Sequence, residues 1–219
     1  MDKPFTRKDL VRNGCEILRK GRWANADLYL YDQSGRAWVI KDFLPCAPLV
    51  RQTWGRMLIR REFQALRRLC GINGIAEPTI ILDAFALCYP YMPGKTLREA
   101  PPDVLDEGFF QSLETLVEQM HQRNMVHLDI RNRRNVLINQ NGMPALLDFQ
   151  SSLDLSRVPE CLHNFLKEID ISGVYKLWQL KHPESLGATR QARLAALNKK
   201  RFLWILRGYP LGTRRLPRK

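Results

Sequence analysis

The sequence predicts an α+β fold of two lobes, with a small antiparallel sheet in the N-terminal lobe and a minimal helical C-terminal lobe. Up to residue 90, short apolar or alternating runs separated by turn residues surround one long amphipathic segment. After the chain breaker Met92-Pro93-Gly94, helical spacing dominates. We therefore expect an N-lobe over 1–90 and a C-lobe over 91–219 that includes a basic tail.

The N-terminal half predicts a short helix, three strands, a long helix and two further strands. Thr6 and Asp9 have the spacing of a capping box, which predicts a helix over about 7–12. Turn chemistry at Asp32–Gly35 separates two of the strands. The expected strands are 15–20, 26–31, 37–41, 79–82 and 84–91, and the long helix covers 54–69.

The C-terminal half predicts helices that enclose one polar loop and one hairpin. Apolar residues recur at helical spacing over 106–123, over about 163–181 and over about 188–206. Between the first two helices, a polar loop runs from 127 to 135. Two short strands follow, 136–138 and 145–147, and Asn141-Gly142 between them is a hairpin turn signal.

The net charge of +13 is concentrated at the end of the chain. From 185 to 219 there are ten basic residues and no acidic one, so the first 184 residues hold 25 basic and 22 acidic groups. Basic residues flank Phe202 and Trp204, a composition that suits peripheral contact with an anionic membrane. A packed C-terminal helix with a solvated charged end is the interpretation that we place first, ahead of membrane contact, and nucleic-acid binding comes last.

Several classes of protein are excluded by composition. No uncharged apolar run approaches the roughly 18–20 residues that span a bilayer, and the N-terminus does not have the pattern of a secretory signal. Five cysteines without a C-x-x-C pair do not suit a disulfide framework or a structural zinc site. We expect a cytoplasmic protein, peripheral at the inner face of the cytoplasmic membrane if the tail docks there.

Five polar residues occur in an order that suits phosphoryl transfer. Lys41 ends a strand, and Glu62 lies on the following helix. Asp129 opens the polar loop, Asn135 leads into the next strand, and Asp148 ends the hairpin. Phosphoryl transfer needs positioning and charge neutralisation more than covalent chemistry, and these residue types supply both.

The order resembles the protein-kinase-like fold, whose motifs are V-A-I-K, a helix glutamate, H-R-D with a downstream Asn, and D-F-G. The matching stretches here are Trp38–Lys41, His127-Leu128-Asp129 and Asp148-Phe149. The resemblance covers about 15–178. It implies ATP and Mg²⁺ as cofactors, with roles for seven residues: Lys41 on the phosphates, Glu62 as its partner, Asn135 and Asp148 as metal ligands, Asp129 as the base, and His127 and Asp170 as structural supports.

One spacing departs from the kinase pattern. The asparagine usually follows the catalytic aspartate by five residues, whereas Asn135 follows Asp129 by six. Either the loop has one extra residue or Asn132 takes part instead, and the position of Asn135 directly before a strand favours Asn135. Asp170 lies on the apolar face of its helix, as does the carboxylate that braces the catalytic loop in kinases.

Other departures indicate a compact branch of the fold. The expected phosphate-covering segment has a single glycine, Gly21, followed by Arg22, which we expect to assist in phosphate binding. Gln150 replaces the glycine of D-F-G, and few residues separate it from Pro159-Glu160. These traits are most similar to the lipopolysaccharide kinase (Kdo/WaaP) family and next to the RIO kinases.

Three functions follow from this resemblance. The first is an ATP- and Mg²⁺-dependent phosphotransferase whose acceptor is a hydroxyl of a sugar in the lipopolysaccharide inner core. A RIO-like Ser/Thr protein kinase is the alternative within the same fold. A pseudokinase that serves as a binding module is the alternative from another class, and the poor glycine segment and the long Asp129–Asn135 spacing favour it.

Overall fold

A five-stranded antiparallel sheet forms the N-terminal part of the protein. The computed structural model describes residues 4–22, 24–101 and 105–200. The strands are β1 (Glu16–Arg19), β2 (Asp27–Gln33), β3 (Arg36–Asp42), β4 (Ile80–Ile81) and β5 (Ala86–Pro90), in the order β1-β2-β3-β5-β4. The helices of this part are α1 (Arg7–Asn13), α2 (Pro48–Val50) and α3 (Arg56–Arg68), and a π-helical turn over Arg51–Gly55 joins the last two.

The middle strand of the sheet carries Lys41. Lys41 of β3 lies opposite Leu28 of β2 on one side and opposite Leu87 of β5 on the other. A strand that is paired on both sides has no free edge, so its backbone is held at every position. Residues 39–43 are all buried, which makes this strand the rigid base of the site described below.

Helices surround two small sheets in the C-terminal part. One sheet has the order β6 (Gly94–Thr96), β8 (Val136–Asn139) and β9 (Pro144–Leu146), and the other pairs β10 (Leu153–Asp154) with β7 (Met125–Val126). The helices are α4 (Glu107–Gln122), α5 (Glu160–Lys181) and α6 (Gly187–Lys200).

These elements confirm the predicted fold class. The three short strands β6, β7 and β10 were not expected, because two or three residues carry too little periodicity to mark a strand.

The main apolar core runs through both parts of the molecule. Phe43 and Leu87 of the sheet belong to the same buried cluster as Phe110 and Trp178 of the C-terminal helices. The rings of Phe110 and Trp178 are stacked, with centroids 5.4 Å apart. A backbone hydrogen bond also joins the segment before residue 90 to the C-terminal part, since Leu146 N–H donates to the carbonyl of Gly74 at 2.9 Å.

Helix α1 is fastened to the back of the sheet by charge and by aromatic packing. The capping box of Thr6 and Asp9 is present, as the sequence predicts. The guanidinium of Arg7 reaches Asp42 at 2.5 Å and Asp83 at 2.5 Å. The ring of Phe5 packs against Trp38 with centroids 5.7 Å apart.

Part of the basic C-terminal segment packs onto the helices. On α6, Arg190 pairs with Glu114 at 3.0 Å and its guanidinium lies 4.6 Å from the ring centre of Trp178. Arg193 pairs with Glu168 of α5. Residues 201–219, on which the membrane and nucleic-acid predictions mostly depend, lie outside the described residues. None of the described helices is long and apolar enough to cross a bilayer.

We predict that Gly55→Ala destabilises the protein by about 1–3 kcal/mol, the usual cost of an extra methyl group in a packed core. A Cβ at Gly55 would lie 2.8 Å from the Cβ of Phe43, which is completely buried. Urea unfolding measures the change. Gly108→Ala in α4 is the matched control, because the nearest atom is 3.5 Å away and alanine favours a helix over glycine. Equal stability of the two variants would contradict the packing account.

Candidate active site

A buried lysine joins two carboxylates at the centre of the molecule. Lys41 Nζ donates to Glu62 Oε1 at 2.9 Å and Oε2 at 2.8 Å, and to Asp148 Oδ1 at 2.9 Å. Lys41 is 2% exposed and Glu62 is fully buried. The three residues come from β3, α3 and the segment after β9. The structure thus brings together the lysine, its predicted glutamate partner and the second aspartate of the sequence pattern.

The charges of this group support one another. Burial opposes the positive charge of Lys41, but Asp148 and Glu62 outweigh it and raise the pKa of the ammonium. Burial also opposes the charge of Asp148, yet the nearby ammonium lowers the pKa of this carboxyl. For Glu62, burial raises the pKa, against the opposing effect of Lys41. An ammonium and an ionised Asp148 are therefore present at neutral pH.

Helix α3 presents Glu62 to the interior and its arginines elsewhere. Ile59, Glu62 and Leu66 share the buried face of this helix. The backbone N–H of Phe149 opposes the rise in the pKa of the Glu62 carboxyl. Glu62 is therefore directed to Lys41 in the interior and does not form an ion pair with the exposed arginines of its own helix.

The loop before β8 folds so that Asp129 meets both candidate asparagines. Asn135 Nδ2 donates to Asp129 Oδ2 at 2.8 Å and to its carbonyl at 3.2 Å, and Asn132 Nδ2 donates to the same Oδ2 at 3.2 Å. Two successive turns, Asn132 N–H to Asp129 O and Asn135 N–H to Asn132 O, accommodate the six-residue spacing. The sequence left open whether Asn135 or Asn132 takes part, and the two are not exclusive, because both side-chain amides contact Asp129.

Burial tunes the candidate base. It raises the pKa of the Asp129 carboxyl above its usual range, and hydrogen bonds from Asn132 and Asn135 oppose that shift. A carboxylate with a raised pKa is a better proton acceptor than a solvated one. Among the described residues, Asp129 Oδ2 accepts the hydrogen bonds of both side-chain amides, and Asp129 Oδ1 accepts neither.

Asn135 and Asp148 lie on neighbouring strand ends. The N–H of Leu147, directly before Asp148, donates to the carbonyl of Asn135 at 2.8 Å. An amide oxygen and a carboxylate are the oxygen ligands that Mg²⁺ prefers, and this ion takes few protein ligands beside phosphates and water. The described residues contain no cluster of three or more His, Cys, Asp and Glu side chains suited to a metal. The donor set fits a magnesium ion shared with phosphate.

Asp170 of α5 braces the start of the loop. Its carboxylate accepts the N–H of His127 at 2.8 Å and of Leu128 at 2.7 Å, and lies 3.1 Å from His121 Nε2. Leu128 has a φ of 65°, a strained region for a residue with a side chain. The two backbone bonds to a buried carboxylate hold the chain in that conformation, and the role of Asp170 as the brace of a catalytic loop stays a prediction.

His127 is oriented by its neighbours and carries no free ring nitrogen. Nε2 lies 3.0 Å from the carbonyl of Leu147, so it bears the proton, and Nδ1 accepts the N–H of Asp129 at 3.3 Å. Its ring packs against Phe149 with centroids 4.8 Å apart. These contacts connect the loop to the segment that holds Asp148, as a positioning residue must.

The predicted phosphate-covering segment around Gly21 is hydrogen-bonded to another part of the protein. The amide N–H of Gly21 donates to Asp27 Oδ1 at 2.7 Å, and a Cβ at this glycine would lie 2.0 Å from the carbonyl oxygen of Asn25. Gly21 therefore permits a tight turn, and its amide is not free for a phosphate in this conformation. Arg22 is exposed, and its contact with phosphate stays a prediction.

Sequence reasoning missed the residues that tie α3 to the segment after Phe149. Arg61 donates to the carbonyls of Ser152 at 2.6 Å and Ser151 at 3.1 Å, and Arg68 pairs with Asp154 at 2.5 Å. Ser152 Oγ donates to the carbonyl of Phe149 at 2.6 Å. The two arginines had no sequence signature of these contacts, because the carbonyls that Arg61 bonds and the carboxylate that Arg68 pairs with lie 86 to 91 residues away.

Comparison with known proteins identifies the fold. No family model and no curated protein matches the chain. The Rio2 kinase from Chaetomium thermophilum superposes with a TM-score of 0.59 at 12% identity, covering 89% of this chain and 75% of that one. Its ADP/Mg²⁺-phosphoaspartate complex gives 0.57 at 12% identity, covering 90% and 74%. The chain has a protein-kinase-like fold.

Within this kinase-like fold, the described site lies between the N-terminal sheet and the C-terminal loop. At 12% identity the likeness concerns the fold, and neither matched structure is a lipopolysaccharide kinase. The Kdo/WaaP assignment therefore stays a prediction from the sequence.

We predict that Asp170→Asn destabilises the protein by about 1–3 kcal/mol, since an amide in place of one oxygen turns a donor toward a buried backbone N–H. Loss of the brace should also lower the rate of any reaction at Asp129. Urea unfolding measures the first effect. Glu160→Gln, an exposed acid on the same helix, should change stability by less than about 0.5 kcal/mol. Equal stability of both variants would exclude Asp170 as a brace.

Proposed function

We propose that the protein is an ATP- and Mg²⁺-dependent phosphotransferase that phosphorylates a hydroxyl group. The convergence of Lys41, Glu62 and Asp148, facing a loop that holds Asp129 against Asn135, carries the proposal. A structural lysine could have been placed at the surface without desolvation. A buried ammonium between two carboxylates adds little net stability, because desolvation offsets the Coulomb attraction, and buried charge clusters of this kind are frequent at functional sites.

Each residue has a task in this reaction. The ammonium of Lys41 binds the α- and β-phosphates of ATP, and Glu62 fixes its position. Asp148 and Asn135 would hold the metal, which would supply charge neutralisation at the phosphates. Glu62 bonds the Lys41 ammonium through both carboxylate oxygens, so the lysine would keep a partner if Asp148 served as a metal ligand.

Asp129 is the base of the transfer step. The acceptor oxygen forms a bond to the γ-phosphorus as the bond from that phosphorus to the β–γ bridging oxygen breaks, and ADP leaves. The proton of the acceptor hydroxyl passes to Asp129 Oδ1, while Asn132 and Asn135 hold Oδ2. The raised pKa of Asp129 suits this proton transfer.

The likeness to Rio2 kinases favours a RIO-like kinase over the lipopolysaccharide-sugar kinase that the sequence placed first. The sugar acceptor rests on sequence resemblance alone, and the membrane contact through the tail rests on the composition of the tail alone. The buried contacts of Lys41 with Glu62 and Asp148, and the raised pKa of Asp129, support the phosphotransferase over the pseudokinase alternative.

The test of the proposed function is ATP turnover by the full chain with Mg²⁺ and γ-labelled ATP. We expect slow hydrolysis or autophosphorylation, reduced at least about 100-fold by Asp129→Asn and by Asp148→Asn, since loss of a base or a metal ligand has effects of this size. Glu118→Gln, an exposed change on α4, is the control and should retain full activity.

The chemical stability of a phosphate label on the protein shows which type of residue is phosphorylated. One matched structure is a phosphoaspartate complex, so any label on this protein is tested for release by hydroxylamine, which cleaves acyl phosphates and leaves phosphoserine intact. Nucleotide binding with the same residual activity in both aspartate variants as in the wild type would overturn the enzyme proposal and favour a binding module.

A further inference from the structure

The loop that carries Asp129 also carries three arginines, and they differ in their surroundings. Arg131 points toward the C-terminal helices, where its guanidinium donates to Ser172 Oγ at 2.9 Å and Asn198 Oδ1 at 3.2 Å. Arg133 and Arg134, which we call the loop arginines, are exposed. Within the described ranges, neither of them forms an ion pair.

Arginines elsewhere in the described structure are of two kinds. Arg7, Arg68, Arg190 and Arg193 each pair with an aspartate or a glutamate. Others, such as Arg60 and Arg67 of α3, are exposed and form no ion pair within the described ranges. The loop arginines differ from these exposed arginines because they stand on the loop that carries the candidate base.

The loop arginines stand on a fixed backbone. The carbonyl of Arg133 accepts the N–H of Arg98 at 3.1 Å, and the N–H of Arg134 donates to Asn132 Oδ1 at 3.3 Å. The two turns from Asp129 to Asn132 and on to Asn135 keep this stretch compact, since the ends of such a turn lie within about 7 Å. The backbone of the loop arginines is thus held close to that of Asp129.

Further positive charge gathers on the same side. Lys181 of α5 donates to the carbonyl of Ala100 at 2.8 Å, and its pKa is lowered by burial and then by the positive charge of Arg133. Glu99, which precedes Ala100 in the sequence, has a carboxylate that accepts the N–H and the hydroxyl of Thr96. Like charges repel, so a group of cations without a counter-charge is costly until an anion joins it.

We propose that Arg133 and Arg134 form a subsite for a phosphate group on the acceptor, so that the hydroxyl compound is itself phosphorylated before it enters. This inference rests on the proposed function and names the class of its acceptor. A guanidinium binds phosphate through two parallel hydrogen bonds, which fixes orientation as well as charge. Two guanidinium groups with Lys181 nearby match a phosphate dianion better than a single negative charge.

The subsite would act on specificity and leave the transfer chemistry to other residues. A phosphate held by the loop arginines would orient the acceptor hydroxyl toward Asp129, which is the positioning that a transfer reaction requires. A neutral hydroxyl compound would leave the cations unpaired and bind more weakly. The reaction that supplies this acceptor must therefore be an earlier phosphorylation or the release of a phosphorylated fragment.

The test is calorimetric titration of inorganic phosphate into the full chain, both without nucleotide and with Mg²⁺ and AMP-PNP bound. The wild type should bind phosphate in both states, and R133Q/R134Q should bind it at least ten-fold more weakly. R60Q/R67Q is the matched control, because it removes the same charge from exposed arginines of α3 and should bind like the wild type. R133K/R134K keeps the charge and should give an intermediate affinity.

The outcomes separate the subsite from the proposed function. Phosphate binding that is absent in the wild type, unchanged in R133Q/R134Q or equally lost in R60Q/R67Q overturns the subsite. Failure of AMP-PNP to bind, with phosphate binding intact, contradicts the phosphotransferase and leaves the subsite supported. Glucose 6-phosphate and O-phosphoserine are titrated in the same way, and the tighter of the two shows whether a sugar or a peptide carries the phosphate.

Discussion

The ammonium of Lys41 is held inside the protein, away from water. Glu62 and Asp148 compensate its positive charge, and this pairing fixes the relative positions of three parts of the chain. Strand β3 supplies the lysine, α3 supplies one carboxylate, and the segment after β9 supplies the other. Removing one partner of a buried pair is expected to cost about 3–5 kcal/mol, because a charge then remains uncompensated. The sheet, the helix and the segment that follows Leu147 are thus constrained to one arrangement.

Contacts outside the group of Lys41, Glu62 and Asp148 also preserve this arrangement. Arg61 and Arg68 join α3 to the stretch after Phe149, and Asp170 fixes the backbone on which Asp129 stands. The strained backbone at Leu128 and Asp148, with φ of 65° and 64°, lies at the two places where these contacts converge. Strain of this kind persists only where the surroundings determine the conformation, and it often marks functional positions.

Much of this could be predicted from the sequence, because the motif residues follow strands and helices that have clear periodicity. The strand of Lys41, the helix of Glu62 and the hairpin before Asp148 were all expected, and so was the buried position of Asp170. Local pattern is sufficient for such elements.

The remainder depends on contacts between distant residues. The strands β7 and β10 have two residues each and exist only because they pair with one another across the fold. The bonds of Arg61 to backbone carbonyls have no sequence signature. Gly21 is the glycine that a phosphate loop would need, but its N–H donates to the Asp27 carboxylate. The sequence does not show in which direction the Asp27 side chain points. The difference between Arg131 and the loop arginines likewise depends on α6, which reaches the loop only in the folded chain.

The central claim is that Lys41 and Glu62 act as one unit in binding nucleotide. A double-mutant cycle with Lys41→Met and Glu62→Gln, read as the dissociation constant of the complex with AMP-PNP and Mg²⁺, tests it most directly. We expect each single variant to bind at least ten-fold more weakly, and the double variant to bind no more weakly than Lys41→Met alone. Additive losses, or unchanged affinity in Glu62→Gln, would contradict the claim.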